Sequence, residues 1–231
     1  MRETVLILIR EVWQMKYGEC IFDIAYLLIA IVTGARILSV RKDAVGKLMG
    51  SAVLILGCGD AFHLVPRVLN YFVDADLTAW LGFGKLVTSI TMTVFYLLLY
   101  YLWLRLYGAR EDRRLSRAVY ALTALRMLLC LLPQNRWREN ESFVLWGTIR
   151  NVPFVVLGVV IVRLYYQERA VIPRFRCVWW LLVALSFLFY IPVAVAAGVV
   201  PMLGMLMLPK TVCYIIMICV FWEYAKDERS G

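Results

Sequence analysis

Asp60, His63, Arg67 and Tyr71 recur at i, i+3, i+7 and i+11 inside one apolar stretch, a spacing that gathers them into a single stripe along a helix. A buried carboxyl at Asp60 can act as a general acid, and the basic groups beside it can hold a phosphate. Other apolar stretches carry polar groups of their own. Lys85, Thr88, Ser89 and Thr93 form a second stripe; Lys210, Cys213 and Tyr214 lie together; Arg150 adjoins Asn151; Ser186 and Tyr190 add hydroxyls. Arg67, Lys85, Arg126, Arg150 and Lys210 place basic charge at depth, and only Asp23 and Asp60 lie at comparable depth to balance it. An ionised group inside a bilayer costs about 3 kcal/mol or more, so it faces a partner or a wet cavity. The surplus of cations predicts a buried site for something anionic. Asp60 is its candidate acid, and Asp23, His63, Arg67, Lys85, Ser89, Arg126, Arg150, Asn151, Tyr190 and Lys210 are its candidate binding set.

Blander roles exist for several of these residues. Lys85 and Arg67 are near enough to a membrane interface to snorkel toward lipid phosphates. Asp60 can neutralise a basic residue on a neighbouring helix, and His63 can be a satisfied core histidine. The six cysteines are scattered, without a CxxC, and read as small apolar packing residues. With His63 the single histidine, no zinc-type ligand set can be written, and no cofactor is expected.

The elements that position these groups follow from composition. Of 231 residues 63% are hydrophobic, and the mean hydropathy is +0.76. A soluble domain of this size could not hide so much apolar surface, whereas a helical membrane protein exposes it to lipid. One membrane domain covering 1–231 is expected. The net charge of +9 sits largely in short loops, which makes it a topology signal and not a sign of nucleic-acid binding. Seven all-α spans are predicted near 20–38, 48–70, 81–106, 116–133, 143–165, 177–198 and 203–223; the fourth is the weakest and carries Arg126. No cleavable signal peptide is expected, because the apolar run Thr4 to Ile9 is too short; residues 1–17 read as an amphipathic surface segment.

Basic residues collect in the loops around Arg36 to Lys47, Arg105 to Arg117 and Arg163 to Arg176, and in the tail with Lys226 and Arg229. The positive-inside rule then predicts an outside N-terminus and a cytoplasmic C-terminus, in an inner or plasma membrane. A faint repeat aligns His63-Leu64-Val65-Pro66 with Phe189-Tyr190-Ile191-Pro192, and Lys85 with Lys210. It suggests a parallel arrangement of 20–106 and 143–223 about a linker helix at 116–133.

The run Gly59-Asp60-Ala61-Phe62-His63-Leu64-Val65-Pro66-Arg67 resembles a motif of the lysoplasmalogenase-like (YhhN) membrane family, over roughly residues 48–96. The resemblance implies a helical membrane enzyme that cleaves the vinyl-ether bond of lysoplasmalogens, with Asp60 as the matching acid. The chain departs from the family in span number, in having Ser186 where a second acid is expected, and in lacking a histidine in the third span. Two other readings stand beside it. Seven helices with a parallel repeat are similar to the PQ-loop and SWEET transporters, although no Pro-Gln pair occurs. A non-catalytic receptor or scaffold would use the same polar pocket to bind lipid or peptide. Lys210 in the last span also suggests a retinal protein, but neither the third nor the seventh span offers a carboxylate counterion. In the leading reading the partner is a membrane lipid or another anionic amphiphile.

Overall fold

The computed structural model describes residues 2–108, 112–140, 144–171, 178–196 and 199–227. Every regular element among them is helical: α1 (Arg2–Val40), α2 (Ala44–Leu69), α3 (Thr78–Leu106), α4 (Arg113–Leu131), α5 (Val144–Gln167), α6 (Trp179–Ala196) and α7 (Met207–Asp227). Two short 3-10 turns, Pro133–Asn135 and Trp137–Glu139, follow α4, and a third, Pro201–Leu206, leads into α7.

Among the described residues six helices are long and apolar enough to cross a membrane: Lys16–Val40 within α1, all of α2, α3, α5 and α6, and Met202–Asp227. The fourth expected span is different. α4 meets the same standard only together with Pro133–Glu139, which bends away from it by 65°. Arg113, Arg114, Arg117 and Arg126 lower its apolarity, and Pro133 removes a backbone donor just after its end. The described residues therefore hold six helices long and apolar enough to span, or seven if the bent pair is one. α1 also runs without a break through the boundary expected between a surface segment and the first span, since Gly18 alone does not stop a helix. Arg110, Arg174, Arg176 and Arg229, which carry part of the charge asymmetry, lie outside the described residues.

Each helix packs on its sequence neighbours and α7 returns to α1, which closes a ring; α3 also reaches α5 across it. The turn into α2 is set locally. The Asp43 side chain caps α2 by accepting from the Gly46 amide at 3.3 Å, and Arg41 donates to both of its oxygens at 2.8 and 2.7 Å. The Arg41 hydrogen bonds hold the Asp43 carboxyl below the usual carboxylate range. α2 and α3 approach closely. A Cβ at Gly84 would lie 2.2 Å from the Phe62 carbonyl oxygen, and Thr88 donates to the Gly59 carbonyl at 3.1 Å. Without a side chain at Gly84, His63 and Lys85 come to the same edge of the bundle.

An aromatic layer fills the middle of the ring. Tyr96, Phe154, Phe187 and Tyr214 are all buried, and the Tyr96 hydroxyl lies 3.3 Å from both Ser186 Oγ and Tyr214 Oη. Beyond it, Trp179 stacks on Phe221 with ring centres 4.3 Å apart. Packing on that side is dense and largely apolar, with hydroxyl contacts such as Tyr100–Ser116 at 2.8 Å, while the buried charged side chains Asp23, Arg126 and Lys210 lie in the other half of the bundle.

Candidate functional site

Above the aromatic layer the helices separate around a cavity of about 630 Å³. It lies at the end of the bundle where α2 meets α3, α4 meets α5 and α6 meets α7. Its wall takes His63 from α2; Lys85, Thr88, Ser89 and Met92 from α3; and Arg126 from α4. Trp137 and Asn140 come from the connection after α4. α5 gives Gly147, Arg150, Asn151 and Phe154, α6 gives Tyr190 and Val193, and α7 gives Met207 and Lys210. Among the described residues no aspartate or glutamate lines it.

Arg126 is the innermost of these cations and the best held. It is 1% exposed, donates through Nε to Thr93 Oγ1 at 3.0 Å, and donates through Nη1 to the Arg150 carbonyl at 2.8 Å and Asn151 Oδ1 at 2.6 Å. Its guanidinium also stands 4.0 Å above the centre of the Phe154 ring. Tyr190 donates to the same Asn151 oxygen at 2.8 Å. Because that oxygen accepts twice, the Asn151 carboxamide is fixed in orientation. Arg150 is anchored at one edge, donating to Asn135 Oδ1 at 2.9 Å with its guanidinium 4.3 Å from the Trp137 ring centre.

The two lysines are held differently. Lys210, 8% exposed, stands over the Tyr190 ring at 4.7 Å, and neither it nor Lys85 has a hydrogen-bond or ion-pair partner among the described residues. Lys85 lies within electrostatic range of Arg150 and Arg67, and Lys210 within range of Arg126 and Asp60. Asp60 offsets Lys210 from behind the wall, but like charges outnumber acids here among the described residues, which favours a counter-anion in the space they share. His63 adds a buried Nδ1 with no hydrogen-bond partner.

The cavity thus brings together His63, Lys85, Ser89, Arg126, Arg150, Asn151, Tyr190 and Lys210 from the expected set. Three residues go elsewhere. Arg67 pairs with Glu19 on α1, and Tyr71 donates to the same carboxylate at 2.9 Å. Asp60 accepts from the Tyr26 hydroxyl at 2.6 Å, on the α1 side of α2. Asp23 is buried on α1. The expected single stripe on α2 is therefore split. At about 100° per residue, Asp60 and Arg67 share a line while His63 falls about 60° from Asp60, enough to turn it toward α3, and Tyr71 lies in the turn beyond the end of α2.

Sequence reasoning also missed contributors. Asn135, Trp137 and Asn140 sit in a connection where no periodicity places them. Glu19 fell between the presumed surface segment and the first predicted span. Tyr26 was detectable, since it lies one turn from Asp23 on an apolar helix. Among the described residues no group of three or more His, Cys, Asp or Glu is arranged to hold a metal ion. Comparison of the chain with protein-family models, curated proteins and solved structures finds no match.

Proposed function

We propose that this multi-pass membrane protein binds an anionic amphiphile, with a lysophospholipid as the favoured class. Lys85, Lys210 and the free edge of Arg150 hold the anionic head group, while Met92, Phe154, Val193 and Met207 receive the apolar part. One observation carries this reading: a cavity of about 630 Å³ in an apolar bundle has four Lys and Arg side chains in its wall and, among the described residues, no carboxylate. That volume falls in the range of small-molecule sites, and a wall in which cations predominate complements a phosphate. In the orientation favoured by the positive-inside rule the cavity faces the outer leaflet, where a single-chain lipid can enter. Lys85 and Lys210, matched in the faint repeat, reach the same cavity from α3 and α7.

Binding accounts for these groups better than the rival activities. Vinyl-ether hydrolysis on Asp60 would need the substrate to pass the wall at His63, because Asp60 is not in the lining. Carriage of a small solute to the other face would have to cross the buried aromatic layer of Tyr96, Phe154, Phe187 and Tyr214.

Native mass spectrometry of gently purified full-length chain tests the proposal, followed by titration with lysophosphatidylglycerol and lysophosphatidylcholine. Retention of an anionic lysolipid, and preference for lysophosphatidylglycerol that falls in Lys85→Gln, are expected. Equal affinity for both head groups, or retention of a neutral sugar instead, overturns it. Turnover of a vinyl-ether lysolipid that is lost in Asp60→Asn would restore the hydrolase reading.

A further inference from the structure

Behind the cavity wall, on the α1 side of Lys210, two carboxyl groups lie together, Asp23 buried and Asp60 half-buried. Asp23 and Tyr26 lie three residues apart on α1 and so project together. Tyr26, 1% exposed, donates its hydroxyl to Asp60 Oδ2 at 2.6 Å, and Asp23 lies within electrostatic range of Asp60. Asp23 is 5% exposed, and its Oδ2 is buried with no hydrogen-bond partner. A bare carboxylate oxygen in apolar surroundings is costly, and two neighbouring carboxyls do not both ionise cheaply. A bound proton relieves both problems. A hard metal cation is a poorer fit, because two carboxyls and one phenol give fewer oxygens than the six or so that such ions take.

Lys210 connects this acid pair to the cavity. It lies in the wall with no hydrogen bond, and within electrostatic range of Asp60 behind it. An anion that settles on Lys210 brings negative charge toward Asp60 and takes over the ammonium that had offset it.

We propose that Asp23, Tyr26 and Asp60 form a proton-binding site linked through Lys210 to the cavity, so that the protein takes up a proton as it binds its anion. The inference rests on the anion-binding reading above. By reciprocity, whatever makes the anion favour the proton makes the proton favour the anion, so affinity rises as pH falls. The groups facing Asp60 are Asp23 and Tyr26 from α1, and Lys210 and Tyr214 from α7. His63 lies about one turn further along α2 and faces Lys85 of α3, while Cys20 and Lys16 lie beside Asp23. His63 is the rival proton acceptor, since it lines the cavity directly.

The test is calorimetric titration of the full chain with lysophosphatidylglycerol, whose phosphodiester does not titrate between about pH 5 and pH 8, in two buffers of different ionisation enthalpy. The expected result is uptake of up to about one proton per bound lipid, absent in Asp60→Asn and retained in His63→Gln. Asp60→Asn should also bind with an affinity that no longer varies with pH. Binding without proton uptake overturns this inference and leaves the cavity reading standing. Uptake that survives Asp60→Asn but disappears in His63→Gln also overturns it. Absence of any binding overturns the cavity reading itself. If Asp60→Asn does not fold, Tyr26→Phe decides: loss of the donor to Asp60 should move the pH range of uptake upward, and an unmoved range overturns the proposal.

Discussion

The guanidinium of Arg67 on α2 closes on the carboxylate of Glu19 on α1, and the Tyr71 hydroxyl completes the clamp from the turn that follows α2. Lys16 reinforces it by donating to the Tyr71 carbonyl at 2.7 Å. This contact fastens the α1–α2 pair and removes Arg67 from the pool of cations open to a ligand. Glu19→Gln should therefore destabilise the fold by about 1–2 kcal/mol, between the values for exposed and buried pairs. Lysolipid affinity should be unchanged. Denaturation of the detergent-solubilised protein together with lipid titration checks both halves; a large loss of affinity would return Arg67 to the site.

Arg126 has a positioning role that lysine cannot fill. One guanidinium serves Thr93, Asn151 and the Arg150 carbonyl from a planar fork. Arg126→Lys keeps the charge but loses that geometry, and should cost about 2–3 kcal/mol. Thermal unfolding gives the cost. Rescue to within a few tenths of a kcal/mol of the parent would show that charge alone matters.

Lys85 should behave in the opposite way. It has no hydrogen-bond partner among the described residues, so Lys85→Gln relieves like-charge repulsion and leaves stability equal or slightly higher. Its loss should weaken lysophosphatidylglycerol binding about tenfold, or about 1.4 kcal/mol. The salt dependence of binding should flatten at the same time. Titration at two ionic strengths reads both effects.

The helical membrane class was legible because hydropathy is a local property of the sequence. Lys85, Arg150 and Lys210 could be placed in one layer from their distance to span ends. The direction in which α2 turns its polar residues was not legible in the same way. Whether the line from Asp60 to Arg67 faces α1 or α3 depends on packing at Gly84 and Gly59, which periodicity does not encode. Glu19 was discounted because the pattern before residue 20 looked like a surface segment, and a partner for Arg67 disappeared with it. Asn135 and Asn140 illustrate the other limit: connections have no repeat, so their residues are placed only by the fold.

Gly84→Ala tests the close approach of α2 and α3. Its Cβ would lie 2.2 Å from the Phe62 carbonyl oxygen and 2.6 Å from His63 Cα, both backbone atoms that cannot swing aside. A loss of about 3 kcal/mol or more is expected, with lowered lipid affinity because His63 and Lys85 are displaced. Gly18→Ala is the control. Nothing lies within 4 Å of its Cβ position, and helix propensity predicts a gain of about 0.5–1 kcal/mol. Equal unfolding temperatures for the two variants would contradict the packing.

The Asp43 cap carries a pH signature outside the membrane. Its carboxyl titrates below the ordinary value of about 4 because Arg41 donates to it. A depressed folded-state value means the stabilisation is complete above the ordinary value and is lost as pH falls through the folded one. Asp43→Asn keeps a capping oxygen without the charge, so its stability should fall less steeply below about pH 4. Acid unfolding curves for the two proteins provide the comparison; parallel curves would remove Asp43 from the account.

Arg126 also bears on how the chain is made. Its acceptors are Thr93, which precedes α4 in synthesis, and the Arg150 carbonyl and Asn151 side chain, both of which follow α4. When α4 first leaves the ribosome, two of those three contacts do not yet exist. A segment with an arginine at its centre and a bend at its end gains little by entering lipid alone. α4 must therefore be retained beside the insertion machinery until α5 emerges, and the two should enter the bilayer as a hairpin. The residue that braces the finished cavity thereby also sets the order of its assembly.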